Sequence, residues 1–118
     1  MAQPDWIIED YCAAGESRVR RFLRELPDAP KVEAFALIKL LQQRGSLLRR
    51  PHSAALGEGL FELRGPRHGV RIFYVFKPGK RIVLLDGMVK KQDRIPASAL
   101  QRMRRLQEEA TRLEAREG

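Results

Sequence analysis

Residues 59–94, GLFELRGPRHGVRIFYVFKPGKRIVLLDGMVKKQDR, constrain the fold more than any other stretch of the chain. Three apolar runs lie in it, at residues 60–64, 70–76 and 82–86. Two short gaps containing Gly and Pro, 65–69 and 77–80, separate the runs, and such gaps are hairpin punctuation. The pattern predicts a three-stranded antiparallel meander. If Gly65 pairs with Val70 across a four-residue loop, Arg64 lies directly opposite Arg71. Phe61 and Leu63 then share the other face with Ile72, Tyr74 and Phe76. That second face is apolar and is expected to pack on helices, with Tyr74 in the core.

Two arginines opposed on one sheet face repel each other. The pair makes sense if an anion sits between them, because the planar guanidinium grips phosphate with two hydrogen bonds. The alternative is that both side chains splay into solvent or find Glu62 or Asp86. Further basic residues follow at Arg67, Lys90, Lys91 and Arg94. Lys90 and Lys91 leave the third strand side by side, so strand alternation allows only one of them to face the arginine pair. His52 and His68 fall in predicted loops with no partner at a metal or triad spacing, and read as surface residues.

The rest of the chain looks built to back this framework. Trp6 to Tyr11 is short, β-branched and aromatic, and predicts a first strand ending by Gly15. A helix over about residues 17–26 places Val19, Phe22, Leu23 and Leu26 on one face, and Pro27 stops it. A second helix over about residues 30–44 has Pro in its first turn and Gly45 just past its end. Its apolar face is read as Val32, Phe35, Ile38 and Leu41, with Leu37 and Leu40 beside them. Residues 47–59 read as a connection. A last helix over about residues 97–116 carries Leu100, Met103, Leu106, Ala110 and Leu113 at helical spacing, as a core stripe or as a face for a partner. The order is β-α-α-β-β-β-α. The fold class is α+β, an antiparallel β-sheet with helices packed on one face and the other face open to solvent.

Composition bounds the function. The 118 residues fit one domain, 1–118, and 43% hydrophobic with 32% charged residues exclude a disordered chain. The net charge of +8 favours a polyanionic partner such as nucleic acid, a ribosomal surface or an acidic protein. A solvated basic surface is the alternative. Cys12 is the single cysteine, so no internal disulfide or cysteine-based zinc site forms, and a reducing cytoplasm suits it. The N-terminus has no signal-peptide pattern and no apolar run approaches the length of a membrane span. No phosphate-binding, dinucleotide-binding, zinc-protease or serine-hydrolase motif is present.

The order of features resembles the RelE/ParE toxin superfamily, in its HigB-like, phage-derived branch. The residues that carry the likeness are Leu56 and Gly59-Leu60-Phe61-Glu62-Leu63-Arg64, then Val70-Arg71-Ile72-Phe73-Tyr74, then Ile82-Val83-Leu84-Leu85-Asp86-Gly87-Met88-Val89-Lys90-Lys91. The helix ending in Leu-Pro and the final basic helix are similar too, so the likeness runs from about Trp6 to Leu113. It implies a small α+β RelE-like fold and the toxin of a type II toxin–antitoxin module. It further implies an endoribonuclease that cuts messenger RNA, commonly on the ribosome, by attack of the 2′-hydroxyl on the phosphate. No cofactor or metal is expected. The implied partners are a small antitoxin of the helix-turn-helix DNA-binding kind, mRNA and the ribosome, in the cytoplasm and away from any membrane.

Carried over by position, Arg71 matches the arginine that contacts the reacting phosphate, and Lys91, with Lys90 beside it, matches the basic pair after the following strand. Arg64 matches the Glu-Leu-Arg arginine. The resemblance thus makes Arg71, Lys91 and Arg64 the catalytic candidates and Lys90, Arg67 and Arg94 the RNA-binding ones. Some relatives carry lysines where this chain has Leu60 and Glu62, and others a C-terminal tyrosine that is absent from Ile95 onward. Asp86 and His68 are only rough counterparts of the aspartate and histidine of further relatives, so the likeness names no general base. Sister proteins share the fold without cutting RNA, which leaves a non-catalytic basic module, such as a gyrase-directed toxin, as the other function.

Overall fold

A computed structural model describes residues 5–91 and 94–117, with side chains to residue 113. Its main sheet has five strands: β1 (Ile7–Asp10), β4 (Ser53–Gly57), β5 (Leu60–Arg64), β6 (Val70–Lys77) and β7 (Arg81–Val89). Their order is β1-β7-β6-β5-β4, with β1 parallel to β7 and every other pair antiparallel. A small ribbon, β2 (Cys12–Ala13) and β3 (Glu16–Ser17), turns through Ala14 and Gly15, both at positive φ. That is the backbone a two-residue hairpin requires. Helices α1 (Arg18–Glu25), α2 (Asp28–Arg44) and α3 (Ala97–Glu117) complete the α+β fold.

The meander and its register are as the sequence predicts: Arg64 lies opposite Arg71, Leu63 opposite Ile72 and Phe61 opposite Tyr74. The Gly65 N–H donates to the Val70 carbonyl at 2.8 Å and closes the turn. α1 starts where the Ser17 hydroxyl accepts from the Arg20 N–H at 3.2 Å, an N-cap that offsets one unpaired donor of the first turn. Val19, Leu23 and Leu26 are buried and Phe22 packs against them, as expected.

Three expectations are corrected. First, helices cover both faces of the sheet. α1 and α2 pack on Leu63, Val70, Ile72, Tyr74, Ile82 and Leu84. α3 packs Met103, Leu106 and Ala110 on Leu60, Phe73, Val75, Val83 and Leu85. Strands β6 and β7 are apolar at consecutive positions, so each presents a hydrophobic surface on both sides, and a one-sided cover would leave Phe73 and Leu85 in water.

Second, the connection after α2 contains β4. Ser53-Ala54-Ala55-Leu56-Gly57 has no β-branched or aromatic residue, so its composition does not announce a strand. It becomes one because the backbone groups of β5 need partners on their outer edge. Third, the buried face of α2 is Ala34, Leu37 and Leu41, with Ile38 and Leu40 partly covered, while Val32 and Phe35 are 70% and 53% exposed. The helix is apolar on more than one side, and spacing alone does not say which side meets the sheet. Phe61 and Phe76, expected to be buried, are half-buried at the edge where β4 supplies only alanine and serine.

Candidate nucleic-acid site

Arg64 and Arg71 stand side by side at the ends of β5 and β6. The turn between those strands is held from outside. The Glu33 carboxylate of α2 accepts from the backbone N–H of Arg67 and of His68, each at 3.2 Å. The Arg71 guanidinium donates through Nη1 to the Val70 carbonyl at 3.0 Å, and lies 3.5 Å from the Gly65 carbonyl. The turn and the guanidinium are therefore positioned together.

The arginine pair does not enclose an empty gap. Glu62, two residues before Arg64 and hence on the same face, reaches both: Oε1 lies 3.7 Å from Arg64 Nε, and Oε2 lies 3.7 Å from Arg71 Nε. Neither distance is a hydrogen bond. Glu62 Oε2 and Arg71 Nε are both buried without a hydrogen-bond partner. Glu62 is 4% and Arg71 9% exposed, so Arg71 is not the open-face surface residue that the sequence suggests. Arg64 is only partly covered.

Burial raises the proton affinity of Glu62 above that of an ordinary glutamate, against the opposing pull of Arg71, Arg64, Lys90 and Arg50. Burial likewise lowers the pKa of Arg71, with Arg64 adding to the effect and Glu62 and Glu33 opposing it. A carboxylate with raised proton affinity, held between two cations and short of hydrogen bonds, is suited to accept a proton.

The two lysines are placed the other way round from strand alternation alone. In a regular ladder Arg71 would face Gly87, and Lys91 would share its side. The structure has a bulge: Tyr74 pairs with Leu84 but Phe73 pairs with Asp86, so Leu85 is an extra residue in β7. A one-residue shift exchanges the faces of everything beyond it. Arg71 therefore faces Met88. Lys90 falls on the arginine side, where its charge acts on Glu62. The Lys90 N–H also donates to the Gly69 carbonyl at 2.7 Å. Lys91 is exposed.

Arg67 and Arg94 are exposed in the two connecting segments, and neither is drawn into the Glu62 cluster. His68 contributes its backbone N–H to Glu33, and His52 its carbonyl to the Arg64 N–H at 2.8 Å. Asp86 is buried, and its Oδ1 accepts from the Gly87 N–H at 2.7 Å. Its Oδ2 lies 3.6 Å from Arg102 Nε of α3. Among the described residues no cluster of His, Cys, Asp and Glu could hold a metal ion.

Sequence reasoning named Glu62 as an alternative partner of the arginines, which is where it lies, but gave it no role in the site, although its parity with Arg64 was available as a signal. It also missed Arg50, which no motif marks, and Glu33, which lies far from the turn in sequence.

A family model described as phage-derived protein Gp49-like matches residues 21–108, well over half the chain. The chain belongs to this Gp49-like family. The matched region of the Gp49-like chain holds every residue of the Glu62 cluster. Its fold is that of RelE toxins. It is similar to the isolated E. coli RelE toxin, with a TM-score of 0.54 at 12% identity over 83% of this chain and 98% of that one. It is also similar to a chain of the E. coli RelBE toxin–antitoxin complex, with a TM-score of 0.53 at 11% identity over 74% and 99%. A chain of the RelE–RelB complex of Pyrococcus horikoshii OT3 gives 0.53 at 15% identity over 74% and 97%. Among curated proteins, none matches this Gp49-like chain. No described helix is long and apolar enough to cross a membrane.

Proposed function

We propose that the chain is the toxin of a type II toxin–antitoxin module and acts as an endoribonuclease on messenger RNA, on the ribosome and in the cytoplasm. The observation that carries this is the carboxylate of Glu62 set between the guanidinium groups of Arg64 and Arg71. RNA can cut itself when its 2′-hydroxyl loses a proton and attacks the adjacent phosphate. The attack yields a cyclic phosphate and expels the 5′-oxygen, which takes up a proton. The protein must accept the first proton, donate the second and neutralise the charge developing on phosphorus.

Glu62 accepts the 2′-hydroxyl proton. Arg64, the more exposed arginine, meets the phosphate first, and Arg71 supplies fixed positive charge behind it. Lys90 stands on the same side and serves the leaving oxygen or the phosphate. Lys91, Arg67 and Arg94 track the RNA backbone.

The solved RelE-like structures include toxin–antitoxin complexes, which supports an antitoxin partner; we take it to be a small helix-turn-helix protein. The apolar groove of Ile8, Leu23, Phe35 and Ile38, rimmed by Arg24 and Lys31, offers such a partner a surface. One observation favours a second reading. The low exposure of Glu62 and Arg71 also suits an ion triad that only holds the sheet end together in a non-catalytic basic module, such as a gyrase-directed toxin.

The test is cleavage of a synthetic mRNA by the purified protein, with and without ribosomes. The ribonuclease reading requires products ending in a cyclic phosphate and a 5′-hydroxyl. An intact transcript under both conditions, from a protein that still arrests growth, would leave the non-catalytic reading.

A further inference from the structure

Strand β4 ends the sheet, and among the described residues no strand pairs with its outer side. The Arg64 N–H donates to the His52 carbonyl at 2.8 Å, and Ser53, Ala54 and Ala55 follow opposite Leu63, Glu62 and Phe61. In an antiparallel ladder, bonded pairs alternate with pairs whose N–H and C=O groups point away. The alternation turns those groups of Ser53 and Ala55 outward. The Ser53 N–H bears this out, since it donates to the Arg49 carbonyl at 3.2 Å. The Ser53 carbonyl and both backbone groups of Ala55 therefore face the open side. The far end of the edge is closed, because Arg104 of α3 donates to the Leu56 and Gly57 carbonyls, each at 2.8 Å. The open part is short and centred on Ala55, which is exposed.

A cavity of about 670 Å³ adjoins this edge on the α1/α2 face, walled by the rings of Phe61, Tyr74 and Phe76. On that face β4 offers only the small side chains of Ser53 and Ala55, so Phe61 and Phe76 stay half-buried. Arg49 and Arg50 line the cavity and are exposed, and no acidic residue lines it. An extended peptide laid along Ala55 gains main-chain hydrogen bonds, and every second side chain falls on the cavity side. A bulky apolar one reaches past Ala55 onto Phe61, and carboxylates beside it meet Arg49 and Arg50. A second copy is a poor occupant, since each chain carries +8 and would bring the same arginines to the contact. We propose that the β4 edge and its cavity take an extended acidic segment of a partner protein, with one large apolar side chain in the cavity. The surface lies at the opposite end of the sheet from the Ile8 groove, and it does not depend on the ribonuclease reading.

The test uses the full chain, isotope-labelled for NMR, and synthetic heptapeptides with a central phenylalanine, a valine on either side and glutamates at both ends. The expected result is salt-dependent binding, with slowed exchange of the Ala55 amide and shifted ring signals of Phe61 and Tyr74. Glycine in place of the central phenylalanine should weaken binding by about tenfold or more, the loss for one buried aromatic side chain. Lysines in place of the glutamates should abolish it. N-methylation of the peptide amides that face β4 removes their donors, and should abolish binding to the unaltered protein. Ala55→Phe, which fills the cavity from the edge, should weaken binding similarly. Ala55→Pro removes only an outward donor, which an edge strand tolerates, and should do the same.

No binding of the phenylalanine peptide, binding that survives N-methylation, or an Ala55 amide that the peptide leaves unchanged would overturn the proposal. A wild-type dimer that Ala55→Pro makes monomeric would give the edge to a second copy. RNA trinucleotides that shift the Phe61 and Tyr74 rings where the peptides do not would give the cavity to RNA. In either case the proposal falls.

Discussion

Glu62 Oε2 lies 3.7 Å from Arg71 Nε, and neither atom has a hydrogen-bond partner. The pair is almost wholly removed from solvent, so losing one partner is costly. Glu62→Ala would leave Arg71 buried and uncompensated, and should destabilise the fold by about 3–5 kcal/mol. Glu62→Gln keeps the shape and one acceptor oxygen, and should cost less. Chemical denaturation of wild type and both variants checks this, and a Glu62→Ala protein as stable as wild type would show that the charge of Glu62 is not needed to hold Arg71.

The raised proton affinity of Glu62 has a sign for stability. The folded state holds the proton more tightly than the unfolded chain, so folding gains from protonation. This contribution is fully present below the ordinary glutamate value of 4.5 and is lost as pH rises through the higher folded value. Over that window Glu62→Gln should flatten the fall in stability with rising pH. For catalysis the direction reverses, since a base must be unprotonated, and single-turnover cleavage should rise with pH through the folded value. Melting curves and rates across pH test both halves.

The bulge at Leu85 separates the two lysines. Lys90→Gln should lower the single-turnover rate at saturating RNA, because a group near the reacting phosphate acts in the transition state. Lys91→Gln should weaken binding and reduce its salt dependence, and recover at high RNA concentration. A larger rate loss for Lys91→Gln than for Lys90→Gln would contradict the observed register.

Glu33 holds the β5–β6 turn by two backbone N–H groups. Glu33→Ala should cost about 0.5–1.5 kcal/mol, because both N–H groups are exposed and turn to water, and should speed amide exchange at Arg67 and His68. Gly65→Ala should have a similar effect, since a Cβ there would come within 2.2 Å of Glu33 Oε1 and push the carboxylate aside. Unchanged exchange at both amides in Glu33→Ala would dismiss the clamp.

The second core is testable without any chemistry. Phe73 is fully buried on the α3 side, and Phe73→Ala should cost about 3–5 kcal/mol. An unchanged melting temperature would mean that α3 does not cover that face.

Much of the site was legible because it depends on local rules. Gly65 and Val70 set the turn, and the turn puts Arg64 across from Arg71. The parity of Glu62 with Arg64 was equally readable, though an anion between the arginines could be supplied either by a ligand or by the chain. What escaped depends on distant partners. Nothing local marks the extra residue at Leu85, and it decides which lysine faces the site. The alanines of β4 become a strand only beside β5. Val32 and Phe35 look like core until the orientation of α2 against the sheet is known.

The central claim is that Glu62, Arg64 and Arg71 cut RNA and do not merely brace the sheet. Mapping transcript 5′ ends after induced expression tests it most directly, with wild type compared against Glu62→Gln and Arg64→Gln, each confirmed folded. The account predicts new 5′-hydroxyl ends within messages for the wild type and their loss in both variants. Growth arrest by the wild type without new ends, or wild-type cleavage by folded Glu62→Gln, would contradict it.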